Sequence, residues 1–324
     1  MEILPEFNTT NAAFLTGTIG LLGLVTNIVV AIAVRKSSSF GYAFGTLCLS
    51  QTIADIGMCA TFVFMTSGIS LIEPSWHSTY LGRRSGQLLI FFWEGSIFTH
   101  LFSAVNRAIA INFPLRYNAI FGNLKVTRYI VLFIWTVSAI QASPYFIPTC
   151  SMLFDPVSFT YAYGEGLCGD ITENYADKIT SITVVTTIGT LDFTSFLRLV
   201  KLRATVAGAI NTQECKRREV RFFFQACAQS SLLMSTLVFF FYLVYLNEDP
   251  WYVYITTTLI WMLVHCLDGA IIIVFNREVR RIIRGKLMGL DISVGYSLTN
   301  QNQTSNRAQS RPDSNHNSNI TTIS

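Results

Sequence analysis

The chain has 324 residues, of which 51% are apolar and only 13% charged, and its mean hydropathy is +0.44. A soluble domain carries about 25% charged residues, so these figures exclude a cytosolic enzyme, a disordered protein and a secreted disulfide scaffold. The formal charge of +4 is small and no aromatic–basic groove accompanies it, which argues against nucleic-acid binding.

Residues 1–12 form a short N-terminal segment. Glu2 and Glu6 make it acidic, and without a basic stretch it does not read as a cleavable signal peptide. The first apolar span then serves as an uncleaved signal anchor. Asn8-Thr9-Thr10 is a glycosylation sequon. Seven stretches reach the roughly 20 mostly apolar residues that a spanning helix requires. They run over 13–34, 43–67, 84–113, 126–148, 178–200, 220–246 and 251–275, the fifth being rich in Thr. Each is apolar nearly all round, unlike a helix on the surface of a soluble core. Lipid offers no partner for backbone N–H and C=O groups, so these stretches must be helical. The alternating segments of a barrel are absent. Residues 13–287 therefore read as an all-α membrane domain, a seven-helix bundle. Residues 288–324, dominated from 291 onward by Ser, Thr, Asn and Gln, read as a disordered tail.

Lys and Arg set the orientation. Of the 23, only Arg83, Arg84 and Lys178 fall on one side of this arrangement; the other 20 lie in the remaining loops and the tail. The basic side is cytoplasmic, which places the N-terminus outside and the tail inside, and an odd number of spans requires that split. Cys48, Cys59, Cys227 and Cys266 lie within spans and read as small packing residues. Cys215 falls in a cytoplasmic loop, where a thiol stays reduced. Cys150 and Cys168 share one outer loop and read as a disulfide, with two free thiols as the weaker alternative. No Cys/His spacing suggests zinc. Sequons at Asn302 and Asn319 fall in the cytoplasmic tail and are not expected to be used.

The segment Asn106-Arg107-Ala108-Ile109-Ala110-Ile111-Asn112-Phe113-Pro114-Leu115-Arg116-Tyr117 resembles the DRYLAIxxPLxY stretch of rhodopsin-like G-protein-coupled receptors, at the cytoplasmic end of the third span. Asp55 matches that family's buried Asp, with Asn27, Ser96 and Trp135 in register. Asp268-Gly269-Ala270-Ile271-Ile272 stands where (N/D)PxxY occurs. Phe275-Asn276-Arg277-Glu278 opens a short basic amphipathic helix, 277–287, like the family's eighth. The closer resemblance is to the nematode serpentine receptor class X chemoreceptors. It is carried by Phe44-Gly45-Thr46-Leu47-Cys48-Leu49-Ser50, Leu191-Asp192-Phe193-Thr194-Ser195-Phe196, Phe223-Phe224-Gln225 and His265-Cys266-Leu267-Asp268-Gly269, spread over about 15–285. There are departures from the wider pattern. No cysteine opens the third span, and Asn106 replaces the motif acid. The fifth to seventh spans lack Pro, so any kinks must come from Gly or polar side chains. Gly269 and Ile272 stand at the seventh-span Pro and Tyr positions. Met262 stands where opsins carry their retinal Lys, and Leu89 stands where amine receptors carry their Asp.

The resemblance implies a chemosensory receptor that passes an extracellular small-molecule or peptide ligand's signal to a heterotrimeric G protein, with no enzyme activity. It also implies a multi-pass place in the cell membrane, in the sensory cilium. A charge at the bilayer centre costs several kcal/mol, so intramembrane acids are functional candidates. Asp55, Asn27, Ser96 and Asp268 read as a polar switch lining a cavity for Na⁺ or waters; the alternative is hydrogen-bonded helix glue. Arg107 reads as the coupling residue, with Glu219 as its resting partner, and Leu115 after Pro114 as the knob that docks a G protein. Topology alone also explains the basic run at 216–218. His265 and Asp268, three apart, are expected to hydrogen-bond. His100 reads as a satisfied core residue, and Glu94 and Asp192 as residues shaping an upper pocket. Phe239-Phe240-Phe241-Tyr242 reads as lipid-facing or packing. The ligand pocket is expected between the helices, open to the outer side. A ligand-gated channel or transporter is the alternative class, but neither an inverted repeat nor a broken helix is visible. An intramembrane metal hydrolase lacks a third His ligand and an HExxH.

Overall fold

The computed structural model describes residues 6–37, 40–205 and 213–287; the side chains of 202–205, 213–220, 222 and 286–287 fall outside that description. Seven helices long and apolar enough to cross a membrane follow one another. They are α1 (Thr9–Lys36), α2 (Tyr42–Ile72), α3 (Gly82–Asn112), α4 (Leu124–Phe146), α5 (Leu167–Lys201), α6 (Gln213–Phe241) and α7 (Pro250–Phe275). A short helix, α8 (Arg277–Leu287), follows. A further two-turn helix, Pro114–Phe121, fills the α3–α4 connection.

Local chemistry fixes the ends. Asn8 caps α1, its Oδ1 accepting from the Asn11 N–H at 3.1 Å. Asp249 caps α7 through the N–H groups of Trp251 and Tyr252, with Pro250 at the first helical position. Asn276 ends α7 and opens α8, accepting from the N–H groups of Glu278 and Val279. Val279 and Ile282 then bury against Val30, Ala33, Val34 and Ile272, so α8 lies with its apolar side on the bundle.

Two spans differ from the sequence reading. α5 begins at Leu167 rather than 178, because its first turns are amphipathic and carry polar residues that a hydropathy window discounts. The regular helix of α6 stops at Phe241, and Leu243–Leu246 is a 3₁₀ turn. With no proline in their interiors, α2, α5 and α7 each contain a π-helical turn, at Thr61–Gly68, Thr172–Ile179 and Ile255–Leu259. Such turns reset the register of a helix without a proline.

Between α4 and α5 a hairpin covers one end of the bundle. Strand β1 (Met152–Asp155) pairs antiparallel with β2 (Thr160–Tyr163), Met152 opposite Tyr163 and Asp155 opposite Thr160. Asp155 closes the turn by accepting from the Val157 and Ser158 N–H groups and the Ser158 hydroxyl. Burial opposes ionisation of Asp155, but these three bonds outweigh it and hold its pKa below the ordinary value. The hairpin is pinned down by its inward side chains. Phe159 is fully buried, and its carbonyl accepts from Thr258 Oγ1 at 2.8 Å. Tyr161 shares a 2.6 Å hydrogen bond with Thr66. The Met152 carbonyl oxygen lies against Gly86, where any Cβ would sit only 2.1 Å from it. The disulfide Cys150–Cys168 ties the two flanks of the hairpin together. The N-terminal Phe7 also reaches this end, its ring 5.0 Å from that of Trp251. We call this the hairpin end, and the end carrying Arg35, Lys36, Arg116, Lys125 and Arg128 the basic end.

Candidate functional site: a polar chain through the bundle

Three groups of side chains are stacked along the bundle. Nearest the hairpin is a narrow cleft between α3, α5, α6 and α7, with a cavity volume of about 10 Å³, lined by Trp93, Asp177, Thr236, Phe240, Phe241 and Trp261. In the Phe run at 239–242, Phe241 is buried in the core and Phe240 packs against it. A helix turns about 100° per residue, so Phe240 and Phe241 face the cleft while Tyr242 is exposed. Asp177 Oδ1 accepts from Ser181 at 3.0 Å, and its Oδ2 accepts from the Tyr163 hydroxyl. Trp93 Nε1 donates to Ser181 at 2.9 Å, which fixes the indole in the cleft wall. Glu94, one residue on, is buried, and its Oε2 has no hydrogen-bond partner.

At mid-bundle, Asp55, Ser96 and Asp268 converge as the sequence suggested, and all are fully buried. What joins them is Gln51, one turn before Asp55 on the same face of α2. Its Nε2 lies 2.7 Å from Ser96 Oγ, 3.2 Å from Asp55 Oδ1 and 3.4 Å from Asp268 Oδ2. Sequence reasoning passed over Gln51, although its spacing of four from Asp55 was the signal. Asn27 is nearby but does not bond the carboxylates; its Nδ2 donates to the carbonyls of Gly23 and His265. The expected His265–Asp268 bond is not made. His265 Nδ1 pairs with Asp55 Oδ1 at 2.8 Å, and His100 Nε2 with Asp268 Oδ2 at 3.1 Å. Both α7 side chains point inward, and each finds its partner across a helix interface before it finds its neighbour. His100 is the satisfied core residue anticipated. Four buried oxygens stay unpaired: Asn27 Oδ1, Gln51 Oε1, Asp55 Oδ2 and Asp268 Oδ1. Hard, uncommitted oxygens of this kind suit Na⁺ or water.

Toward the basic end, Arg107 Nη2 lies 2.8 Å from Asp192 Oδ1, and Ser230 donates to Asp192 Oδ2 at 2.8 Å. One carboxylate thus ties α3, α5 and α6 together, with Arg107 and Asp192 both buried. Asp192 does not shape an upper pocket. It lies well down α5, and among the described residues it is the acid that pairs Arg107. The side chain of Glu219 lies outside the described residues. Asn106 makes a long 3.4 Å bond to the Tyr117 hydroxyl. Pro114 opens the two-turn helix as its first residue, and Leu115 beside it is 97% exposed. Trp135 Nε1 donates to Ser50 at 3.1 Å, joining α4 to α2.

The chain as a whole is similar to known proteins. The squid rhodopsin crystal structure superposes with a TM-score of 0.66 over 96% of this chain and 94% of that one, at 14% identity, which establishes the shared fold. Two Caenorhabditis elegans proteins, serpentine receptor class X 45 and serpentine receptor class X-43, are each 27% identical to the chain. The first aligns over 292 residues, 84% of this chain and 80% of its own length; the second over 268 residues, 81% and 82%. Residues 18–276 match the family model described as serpentine type 7TM GPCR chemoreceptor Srx. The chain is therefore a multi-pass membrane protein and not an enzyme: it belongs to the Srx family of seven-helix chemosensory G-protein-coupled receptors.

Proposed function

We propose that the hairpin end faces outside and the basic end the cytosol, where the receptor engages a heterotrimeric G protein. The Arg107–Asp192 ion pair carries this reading. In the resting state it takes the place of the missing motif acid at Asn106 and holds α3, α5 and α6 together. A small-molecule or peptide ligand bound at the hairpin end favours a second state in which the pair parts. Coupling follows from the ligand's differential affinity for the two states. Arg107 then meets the G protein, with Asn106 beside it, Pro114 and Leu115 as the docking knob, and Glu219 as a second acid near the base of α6. The mid-bundle cluster of Asn27, Asp55, Ser96 and Asp268 is the switch between the two ends. Its free oxygens on Asp55 and Asp268 would hold Na⁺, which would supply positive charge between the two carboxylates. Asn8 is exposed and carries a glycan on the outer side, since capping uses only its oxygen. Placement in a sensory cilium follows from the chemosensory role.

The test is a chemical panel screened on cells that co-express a promiscuous Gα. We expect a ligand-evoked signal that disappears in Arg107→Ala at normal surface expression. An unchanged signal in that variant removes Arg107 from the mechanism. Accessibility tags that place both termini in one compartment remove the orientation.

A further inference from the structure

A cavity of about 230 Å³ lies between α5 and α6, beside the Arg107–Asp192 pair. Its rim is formed by Phe193 and Phe196 of α5 and Met234 of α6, all exposed. Its floor is formed by Asp192 and Ser230, both buried. The space has a local cause. Gly189 contributes no side chain, and a Cβ there would sit 3.2 Å from Met234 Cε. Phe196 is drawn aside by stacking on Phe223, with ring centres 6.0 Å apart. Asp192 lies about 14 Å along the helix from Lys201, where the α5 span ends. Hydrocarbon about 30 Å thick surrounds spans of this kind, so the cavity opens sideways onto lipid and not onto water.

The hydrogen-bond inventory of the floor is one-sided. The Ser230 hydroxyl donates to Asp192 Oδ2 at 2.8 Å, and the Ser231 hydroxyl, also at the cavity, donates to the Cys227 carbonyl at 2.8 Å. Both hydroxyl hydrogens are therefore committed, while both hydroxyl oxygens can still accept. The carboxylate of Asp192 has more lone pairs than its bonds to Arg107 and Ser230 use. Among the lining residues, the donor left over is the Cys227 thiol, a weak one. Charge narrows the match further. Arg107 already balances Asp192, and no Lys, Arg or His lines the cavity. A lipophilic carboxylate would enter without a partner, and an ammonium would have to displace Arg107.

We infer that this cavity binds a neutral lipophilic hydroxyl compound dissolved in the bilayer, a phenol or an alcohol. Its O–H donates to Asp192, and its apolar body lies between Phe193, Phe196 and Met234. A hydroxyl in hydrocarbon has no partner of its own, so an acceptor met there is strongly favoured. Size agrees. A cavity of about 150 Å³ accepts benzene, whereas pockets that enclose a whole ligand begin at roughly 300 Å³. This one takes a single ring and leaves the rest of the molecule in lipid. The inference goes beyond the receptor reading above, since it requires neither a ligand at the hairpin end nor a G protein.

The test uses purified full-length receptor in phosphatidylcholine nanodiscs. The probe is para-octylphenol carrying a diazirine beside its ring, and peptide mass spectrometry after photolysis locates it. We expect saturable adducts within 189–196 and 227–234. Unlabelled para-octylphenol competes at least tenfold better than its methyl ether, para-octylanisole, which keeps the shape and loses the donor. Gly189→Leu fills the cavity and lowers labelling at least tenfold. Leu132→Phe, on the exposed side of α4, leaves labelling unchanged. In the double variant Arg107→Ala/Asp192→Ala, which removes both charges together, phenol and ether compete to within about twofold. If either variant does not fold, the competition and the adduct positions in the unmodified chain decide. Equal competition by phenol and ether means that the groove holds only lipid chains and overturns the inference. So do adducts confined to other helices, or labelling unchanged in a folded Gly189→Leu receptor. Binding is read without coupling, so its failure leaves the receptor reading intact, and a receptor that fails to signal can still pass this test.

Discussion

Replacing Asp192 by Asn tests the resting lock directly. The substitution preserves shape and one acceptor but removes the charge that faces Arg107 Nη2 at 2.8 Å. A hydrogen bond to a charged partner contributes about 1.5–3 kcal/mol, and both residues are buried, so little of this is screened by water. The pair closes α3 onto α5, and Ser230 extends it to α6, so the loss falls on the closed state. A shift of about 1.4 kcal/mol is tenfold in an equilibrium. The ratio of open to closed receptor, for an open state populated at about 0.1–1%, therefore rises by roughly ten- to a hundredfold. The assay is basal nucleotide exchange on a promiscuous Gα by receptor in nanodiscs. We expect strong ligand-independent exchange from Asp192→Asn and none from the Asp192→Asn/Arg107→Ala double variant. A folded Asp192→Asn receptor with unchanged basal exchange would mean that the pair persists in both states and is structural, which refutes the lock.

Three further outcomes are expected. Gly269→Ala brings a methyl to 2.4 Å from Asn27 Oδ1, and overpacking of this kind costs about 1–3 kcal/mol; the check is a lower thermal midpoint, with Ala270→Gly as a control. Cys150→Ser removes a bridge spanning 18 residues and costs about 3 kcal/mol in the chain-entropy model; reductant lowers the midpoint of the unmodified receptor but not of this variant. His77, in the α2–α3 loop, accepts or donates at Ser70 (2.9 Å) and lies 4.5 Å from the Phe154 ring, and burial pushes its pKa down to about 4. The folded form binds its proton less readily than the unfolded form. The contact is therefore fully stabilising above about pH 6.5 and weakens as pH falls toward 4. Hydrogen exchange in the hairpin should quicken over that window and lose the dependence in His77→Phe.

The seven spans, the α8 segment and the Cys150–Cys168 bridge were legible because they follow from composition, length and topology, which are local or one-dimensional. Arg107, Asp55, Ser96 and Asp268 were legible from the resemblance to rhodopsin-like receptors and from the cost of placing charge within a membrane. Their partners were not. Whether His265 meets Asp268 or Asp55 depends on how α2, α3 and α7 are rotated against one another, and no single helix encodes that rotation. Asp192 was misplaced for a simpler reason. Starting α5 at 178 puts it about 21 Å along the helix, near mid-bundle. Starting at Leu167 puts it about 38 Å along, at the depth of Arg107. The polar first turns that hide the true start are the ones that bring Asp177 to the cleft. The cleft's acid and the lock's depth thus escaped notice together.

Cys150 precedes the hairpin and Cys168 lies in the first turn of α5, so the bridge fastens the cover to a membrane-crossing helix. Met152 against Gly86, Tyr161 on Thr66 and Thr258 on Phe159 are all non-covalent attachments. One edge of the cover is therefore held covalently at the head of α5, and the rest is held by hydrogen bonds and packing alone.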